Sequence, residues 1–453
     1  MPKFTFYISL LLVHVGIGVA AYTIPLLSKV YFFGSIIFFL VMILRTGNKN
    51  NEALMAAAYM AGGEVFFRMT GAAPIYEAGK YSVIAFILIG LFLSGTSKKS
   101  SAYWFFLLLL IPGIYIASQN VTGESDFRNS VVFNLSGPFC LAISALYCVD
   151  RKLSYRQLQV LGWAVFLPIL SMAVYLTLYT PDLRAVLTGT GASFEASGGF
   201  GPNQVSTVLG LGMFFAVVQL LTNSKTKLLL FVHLFLVALM SYRAIVTFSR
   251  GGVWTALLII GVFIITYFSG TSSKARKRIS TYLVLVMGVA VLTWAYSSFQ
   301  TNGLIGKRYA NQDAAGRVKG DVTTGRVDLL NSELNAFYEN PVTGVGVGQI
   351  KDYREEATGK VAASHNEVSR MLSEHGILGV VMLGILGLYP LVYRSKNKRN
   401  YLFYSALGFW FLTINHSSMR IAAPAFIYAL ALLNIVHEKK KIPLRRQRLS
   451  PAR

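Results

Sequence analysis

The chain has 453 residues, 54% of them hydrophobic and 13% charged, with a mean hydropathy of +0.54 and a formal net charge of +23. A soluble domain carries about 25% charged residues, so this composition excludes an ordinary water-soluble enzyme. The only cysteines, Cys140 and Cys148, fall inside one apolar run, which excludes a disulfide framework or a cysteine-built zinc site.

Apolar runs of about 20 residues recur from end to end, each long enough to cross about 30 Å of hydrocarbon as a helix. The alternation expected of a membrane β-barrel is absent. The expected fold is therefore an all-α integral membrane protein with about fourteen transmembrane helices. They are placed near residues 4–23, 28–45, 52–69, 80–96, 101–119, 131–149, 157–179, 203–222, 228–247, 251–270, 280–299, 376–393, 400–415 and 421–437. The first run, Phe4 to Tyr22, resembles a secretory signal behind Lys3, but an even span count needs it, and it is read as a retained anchor. The organisation follows: 1–299 with spans one to eleven, 300–375 as a loop, 376–437 with the last three spans, and 438–453 as a basic tail.

Charge reports orientation. With the N-terminus cytoplasmic, the inner segments hold 25 Lys and Arg against 3 Asp and Glu, and the outer segments hold 17 against 16. Basic clusters fall on alternate loops, at Lys98-Lys99, Arg151-Lys152, Lys274 to Arg278, Arg394 to Arg399 and from Lys439 onward. This is the positive-inside pattern, with both termini cytoplasmic, so the basic excess does not point to nucleic acid. No internal repeat of the kind found in inverted-repeat transporters stands out.

Most outer loops are short, but Gln300 to His375 is too long to be a simple connection and reads as a partly helical cap. Within it, Val327, Leu330, Leu334 and Phe337 recur at helical spacing, with Thr323 or Thr324 as the N-cap and Pro341 as the stop. Arg326 then lies in the first turn, where the helix dipole favours an anion. It could hold a phosphate through two parallel bonds or pair with Asp321 or Asp328. Gly344, Gly346 and Gly348 permit close approach to a ligand or a helix.

Ser364 and Glu367 have capping-box spacing, which predicts a helix with His365 in its first turn and Asn366 beside it. A histidine there is kept neutral by the dipole and can act as a base; a bland surface histidine is the competing reading. Three further outer features can converge on this place. Arg250 begins a span within Ser249-Arg250-Gly251-Gly252, with Arg243 at the end of the preceding one. Asn203 in Gly201-Pro202-Asn203 is suited to cap a helix or bind sugar hydroxyls, and Asn415, His416 and Arg420 form the last outer turn. Glu64 and Arg68, one helical turn apart, read as an ion pair, and His14 and His233 as residues packed within spans. No Asp-x-Asp or His-x-x-x-His cluster faces outward, so neither a metal nor a cofactor is expected.

Several of these motifs together resemble the O-antigen ligase and polymerase superfamily. They are Thr324-Gly325-Arg326 through Asn340-Pro341, the Gly344-Val345-Gly346-Val347-Gly348 run, and His365-Asn366 followed by Leu372, Glu374 and Gly376-Ile377-Leu378-Gly379. Ser249-Arg250-Gly251-Gly252 and Gly201-Pro202-Asn203 resemble its upstream positions. The resemblance implies an inverting, metal-independent glycosyltransferase of the bacterial inner membrane, with its active site facing the periplasm. It would take a glycan from undecaprenyl pyrophosphate to another lipid-linked repeat (polymerase) or to lipid A core (ligase). His365, Arg250 and Arg326 would be the catalytic residues, the arginines binding pyrophosphate and His365 serving either as base to the acceptor hydroxyl or as a phosphate ligand. Asn203, Arg243, Asn366, His416 and Arg420 are the expected substrate-binding residues. The expected partners are the donor, the acceptor glycan or lipid A core, the bilayer and a chain-length regulator. Polymerase is slightly favoured over ligase. A flippase for lipid-linked sugars, the reading from another class, predicts polar residues along the whole depth of the spans.

Overall fold

A computed structural model describes residues 4–120, 124–320, 325–359, 362 and 364–436. The basic tail, Asp321 and the Thr323–Thr324 cap lie outside the described residues. The first part of the chain forms α1 (Phe4–Thr23), α2 (Pro25–Thr46), α3 (Glu52–Met69), α4 (Ala78–Ser94), α5 (Ser101–Asn120) and α6 (Glu124–Cys148). A short strand β1 (Lys152–Ser154) leads into α7 (Tyr155–Tyr179), followed by α8 (Leu183–Val186), α9 (Pro202–Asn223), α10 (Lys227–Ile245), α11 (Arg250–Ser269) and α12 (Ser273–Gln300). The cap holds α13 (Leu304–Tyr309), α14 (Arg326–Glu339), α15 (Ile350–Thr358) and α16 (Glu367–His375). The chain continues through α17 (Ile377–Arg394), α18 (Phe403–Ser417) and α19 (Ala422–Leu430) to strand β2 (Asn434–Val436).

The protein is an all-α, multi-pass membrane protein. Among the described residues, 10 helices are long and apolar enough to cross a membrane, and α4 is a shorter apolar helix. The fourteen expected spans are corrected most at the end of the chain. The run 421–437 is helical only to Leu430, and its last residues pair parallel with β1. An apolar run buried on all sides reads the same whether helical or not. Glu64 and Arg68 do form an ion pair, Cys140 and Cys148 are buried free thiols, and His14 and His233 are packed inside the bundle against Tyr59 and Tyr7.

α9 is almost wholly buried, packed against α10, α11 and α7. Small residues let the helices touch, as is usual between spans. Gly252 of α11 stands against the backbone of Ser206 in α9, where any Cβ would collide with the Ser206 carbonyl group. The two helices are thus in register at their first turns, which places Asn203 beside Ser249.

The glycine run has a definite role. Gly344, Gly346 and Gly348 have φ of 70°, 95° and 80°, the left-handed region that glycine tolerates. A Cβ on Gly344 would strike the Glu374–His375 backbone, and one on Gly346 the Ala117 backbone. The Val347 N–H donates to the Gly113 carbonyl at 3.0 Å, and the Val345 N–H to the Ser373 carbonyl at 2.9 Å. The run therefore seats the cap on α5; the close approach is to a helix, not to a ligand.

Candidate active site

Beneath the cap lies a cleft of about 310 Å³. Asn203, Ser249, Arg250, Gly251, Arg308, Arg326, Val327, Leu329, Leu330, Glu333, His365, Asn366 and Asn415 line it. These residues come from five helices and from the loop before α16. Asn203 stands in the first turn of α9, Arg250 opens α11, Arg326 opens α14, and Asn366 caps α16. Four helix N-termini therefore border one cleft, and each contributes partial positive charge there. This is an environment for an anion.

The local geometry follows from short-range bonds. The Ser249 hydroxyl donates to Asn203 Oδ1 at 2.7 Å, and the Ser206 hydroxyl donates to the Ser249 carbonyl at 2.9 Å. Asn203 does not cap α9: Gly201 occupies the cap position and Pro202 the first helical one, where a missing N–H does no harm. Arg308 Nε donates to the Phe248 carbonyl at 3.0 Å and Arg250 donates to the Arg308 carbonyl at 3.4 Å, so α13 is tied to the start of α11. Three guanidinium groups thus face one space. Burial, and then the charge of Arg250, lower the pKa of Arg326; burial, Arg250 and Arg326 lower that of Arg308. Repulsion of this kind is what an incoming anion relieves.

Arg326 is in the first helical turn, as the spacing predicts, but Gly325, with φ of 78°, is the residue that precedes it. The inward face of α14 is also rotated from the expected one. Glu333 and Ala336 are buried while Val327 is exposed, because Glu333 is drawn inward by Arg354 at 2.9 Å and by the Ser369 hydroxyl. A local hydrophobic count cannot register a buried ion pair made with a later helix.

The capping-box expectation at Ser364 is corrected in the same way. Asn366 is the N-cap of α16, its Oδ1 accepting from the N–H groups of Val368 at 2.8 Å and Ser369 at 3.4 Å. Glu367 turns to Arg370 instead, and Ser364 donates to the Asn366 carbonyl. His365 is accordingly one residue before the cap, not in the first turn. Burial is the main cause that pushes its pKa down, to about 4, with Arg420, Arg326, Arg354 and His416 adding to it. The imidazole is neutral near pH 7, and its Nδ1 is buried with no hydrogen-bond partner among the described residues. Its neutrality stems from burial and neighbouring cations.

The structure gathers His365, Arg250, Arg326, Asn203 and Asn366 around the cleft. It does not bring Arg243 there. Arg243 is buried at the end of α10 and donates to the Ala196 carbonyl at 3.1 Å, a bond that fixes the 180–202 loop. His416 lies against Gly251, with Thr207 Oγ1 at 3.4 Å, and supports the start of α11 from below. Arg420 donates to the Ser364 carbonyl at 2.7 Å and so holds the His365 loop. Arg308 and Glu333 are the charged lining residues that sequence reasoning missed. Glu333 lies seven residues after Arg326, two helical turns along one face, and that spacing was a usable signal. Arg308 gave none, since Lys307-Arg308 reads as any basic pair at a membrane surface.

Residues 235–384, about a third of the chain, match the model of the family described as O-antigen ligase. The match runs from within α10 into the first half of α17 and includes Arg250, Arg308, Arg326, Glu333, His365 and Asn366; Asn203 and Asn415 lie outside it. No curated protein matches the chain. Over residues 235–384 this multi-pass membrane protein therefore matches the O-antigen ligase family, which supports its resemblance to the O-antigen ligase and polymerase superfamily.

Proposed function

We propose that the protein is an inverting glycosyltransferase of the bacterial cytoplasmic membrane, its cap facing the periplasm, that moves a glycan from undecaprenyl pyrophosphate to an acceptor sugar. The observation that carries this reading is the cleft, where Arg250, Arg308, Arg326 and four helix N-termini surround a space bordered by the neutral His365. In the reaction, an acceptor hydroxyl attacks the anomeric carbon and the bond from that carbon to the pyrophosphate oxygen breaks. Undecaprenyl pyrophosphate leaves with the electron pair, and His365 takes the hydroxyl proton. The leaving group needs charge stabilisation more than protonation, and guanidinium groups with fixed dipoles supply it. Asn203 and Asn366 offer amide groups to sugar hydroxyls at the cleft wall. A chain-length regulator is a further proposed partner. Because the positive charge is built into the protein, transfer should persist in excess chelator. Complete loss that Mg²⁺ restores would overturn the metal-free reading.

Repeat-unit polymerisation is the first reading. Ligation to lipid A core is the second, favoured by the description of the matching family. The glycan of a deletion strain, separated on a gel, decides between them. Single repeats on lipid A core mark a lost polymerase, and long chains stranded on the lipid carrier mark a lost ligase. An unchanged glycan would refute both.

A further inference from the structure

We infer that the buried Glu64–Arg68 pair of α3 is a positioning device for His365, acting through the turn that joins α18 to α19. The inference rests on the proposed function only in assigning His365 to the reaction; the chain of contacts stands independently of it.

Glu64 and Arg68 are 1% and 9% exposed, in the outer half of α3. A buried ion pair of this kind contributes little net stability unless its remaining hydrogen-bonding capacity is filled. Here most of that capacity goes to one short segment, and Arg68 Nε is buried with no hydrogen-bond partner among the described residues. Glu64 accepts from the Ala422 N–H, and Arg68 donates to the Arg420 carbonyl at 3.1 Å. The two bonds grip the backbone on either side of Ile421. The same guanidinium donates to Gln204 Oε1 at 3.2 Å, next in sequence to the cleft residue Asn203.

The gripped turn in turn grips the His365 loop. The Ser418 N–H donates to the His365 carbonyl at 3.1 Å, and Arg420 donates to the Ser364 carbonyl at 2.7 Å. Met419 N–H donates to Glu367 at 3.3 Å, at the start of α16. Ser418 has φ of 53°, a conformation a serine holds only where its surroundings impose it. The backbone of the proposed catalytic histidine is therefore referenced to the buried helix α3 through two layers of bonds. A packed apolar pair at 64 and 68 would fill the same volume but would leave the Ala422 N–H and the Arg420 carbonyl without partners.

The cations around His365 supply a readout that a merely structural role would not move. They come from every side: Arg420 from the turn, Arg326 from α14, Arg354 from α15, with His416 from α18. If the turn loosens, Arg420 shifts relative to the imidazole, and its proton affinity rises toward that of a free histidine.

The test uses full-length protein carrying Arg68→Lys or Glu64→Gln, with Arg420→Lys at the other end of the chain of contacts. His365 is labelled with diethyl pyrocarbonate across pH and quantified by peptide mapping, and folding is followed by size exclusion and melting. Transfer is assayed in parallel with lipid-linked glycan extracted from the producing strain. All three variants should raise the labelling midpoint of His365 by about half a unit or more. They should also lower kcat about tenfold or more, with the donor KM changed less than about threefold. An unchanged midpoint in variants that remain folded, with activity tracking only the folded fraction, overturns the inference. If His365→Ala keeps full transfer while the midpoint still moves, the assignment of His365 to the reaction fails and the positioning stands.

Discussion

Replacing His365 with alanine should lower kcat by about 10²- to 10⁴-fold, the usual contribution of a positioned general base, in protein that inserts and folds normally. Two physical points make this the largest expected loss. The imidazole is held neutral by burial and by surrounding cations, with its pKa pushed down to about 4. Its Nδ1 also has no partner among the described residues. His365→Gln separates the two roles open to it. A side-chain amide can still donate to phosphate but cannot take a proton, so a base requires Gln to be as inactive as Ala. If Gln restores most of the rate, His365 is a phosphate ligand.

The pH dependence carries the same argument with a definite sign. A free histidine titrates near 6.5 and folded His365 near 4, so the folded state resists protonation. Above about 6.5 both forms are neutral and stability does not depend on this group. As pH falls from 6.5 toward 4, the unfolded chain takes up a proton that the folded one refuses, and stability is lost. Over that range kcat/KM should hold, with its acid limb close to 4, because a sugar pyrophosphate diester has no ionisation there to imitate it. The kcat limb should lie at higher pH, since the bound anion offsets the arginines that depress the histidine. A kcat/KM limb at 6.5 would mean that His365 is not the titrating base, or is not in this field.

What the sequence disclosed was local. Spans were legible because a bilayer demands apolar runs of nearly fixed length, and Arg326 was legible because a helix start can be read from its neighbours. Most of the misreadings involve partners far away along the chain. Glu367 looked like half of a capping box until Arg370 and the Met419 N–H claimed it. The run 421–437 looked like a span because the β1 pairing that ends its helix comes from residues 152–154. Arg243 has the residue type and the depth of a site residue, yet its fork is directed at the Ala196 carbonyl. Arg308 was invisible for the same reason: its place at the cleft is set by the Phe248 carbonyl, 60 residues before it.

Removing one arginine from the cleft tests whether the charge there serves the transition state. Charge on the departing pyrophosphate grows as its bond to the anomeric carbon lengthens, so donors fixed in advance act most strongly at that moment. Arg326→Ala should lower kcat/KM about 10²- to 10³-fold, the usual loss for one such donor. Most of it should appear in kcat and less in the donor KM, because the ground-state diester already spreads its charge over helix N-termini that remain. Arg326→Lys should recover only a small part, since an ammonium cannot reproduce two parallel bonds. Arg308→Ala should behave like Arg326→Ala although nothing in the sequence marks it. Arg326 lowers the proton affinity of Arg308 by proximity, so removing both should cost less than the product of the single losses. Multiplicative losses would mean that the two arginines do not act on the same phosphate. A loss confined to KM would recast the cleft as a docking site, with the reacting centre elsewhere.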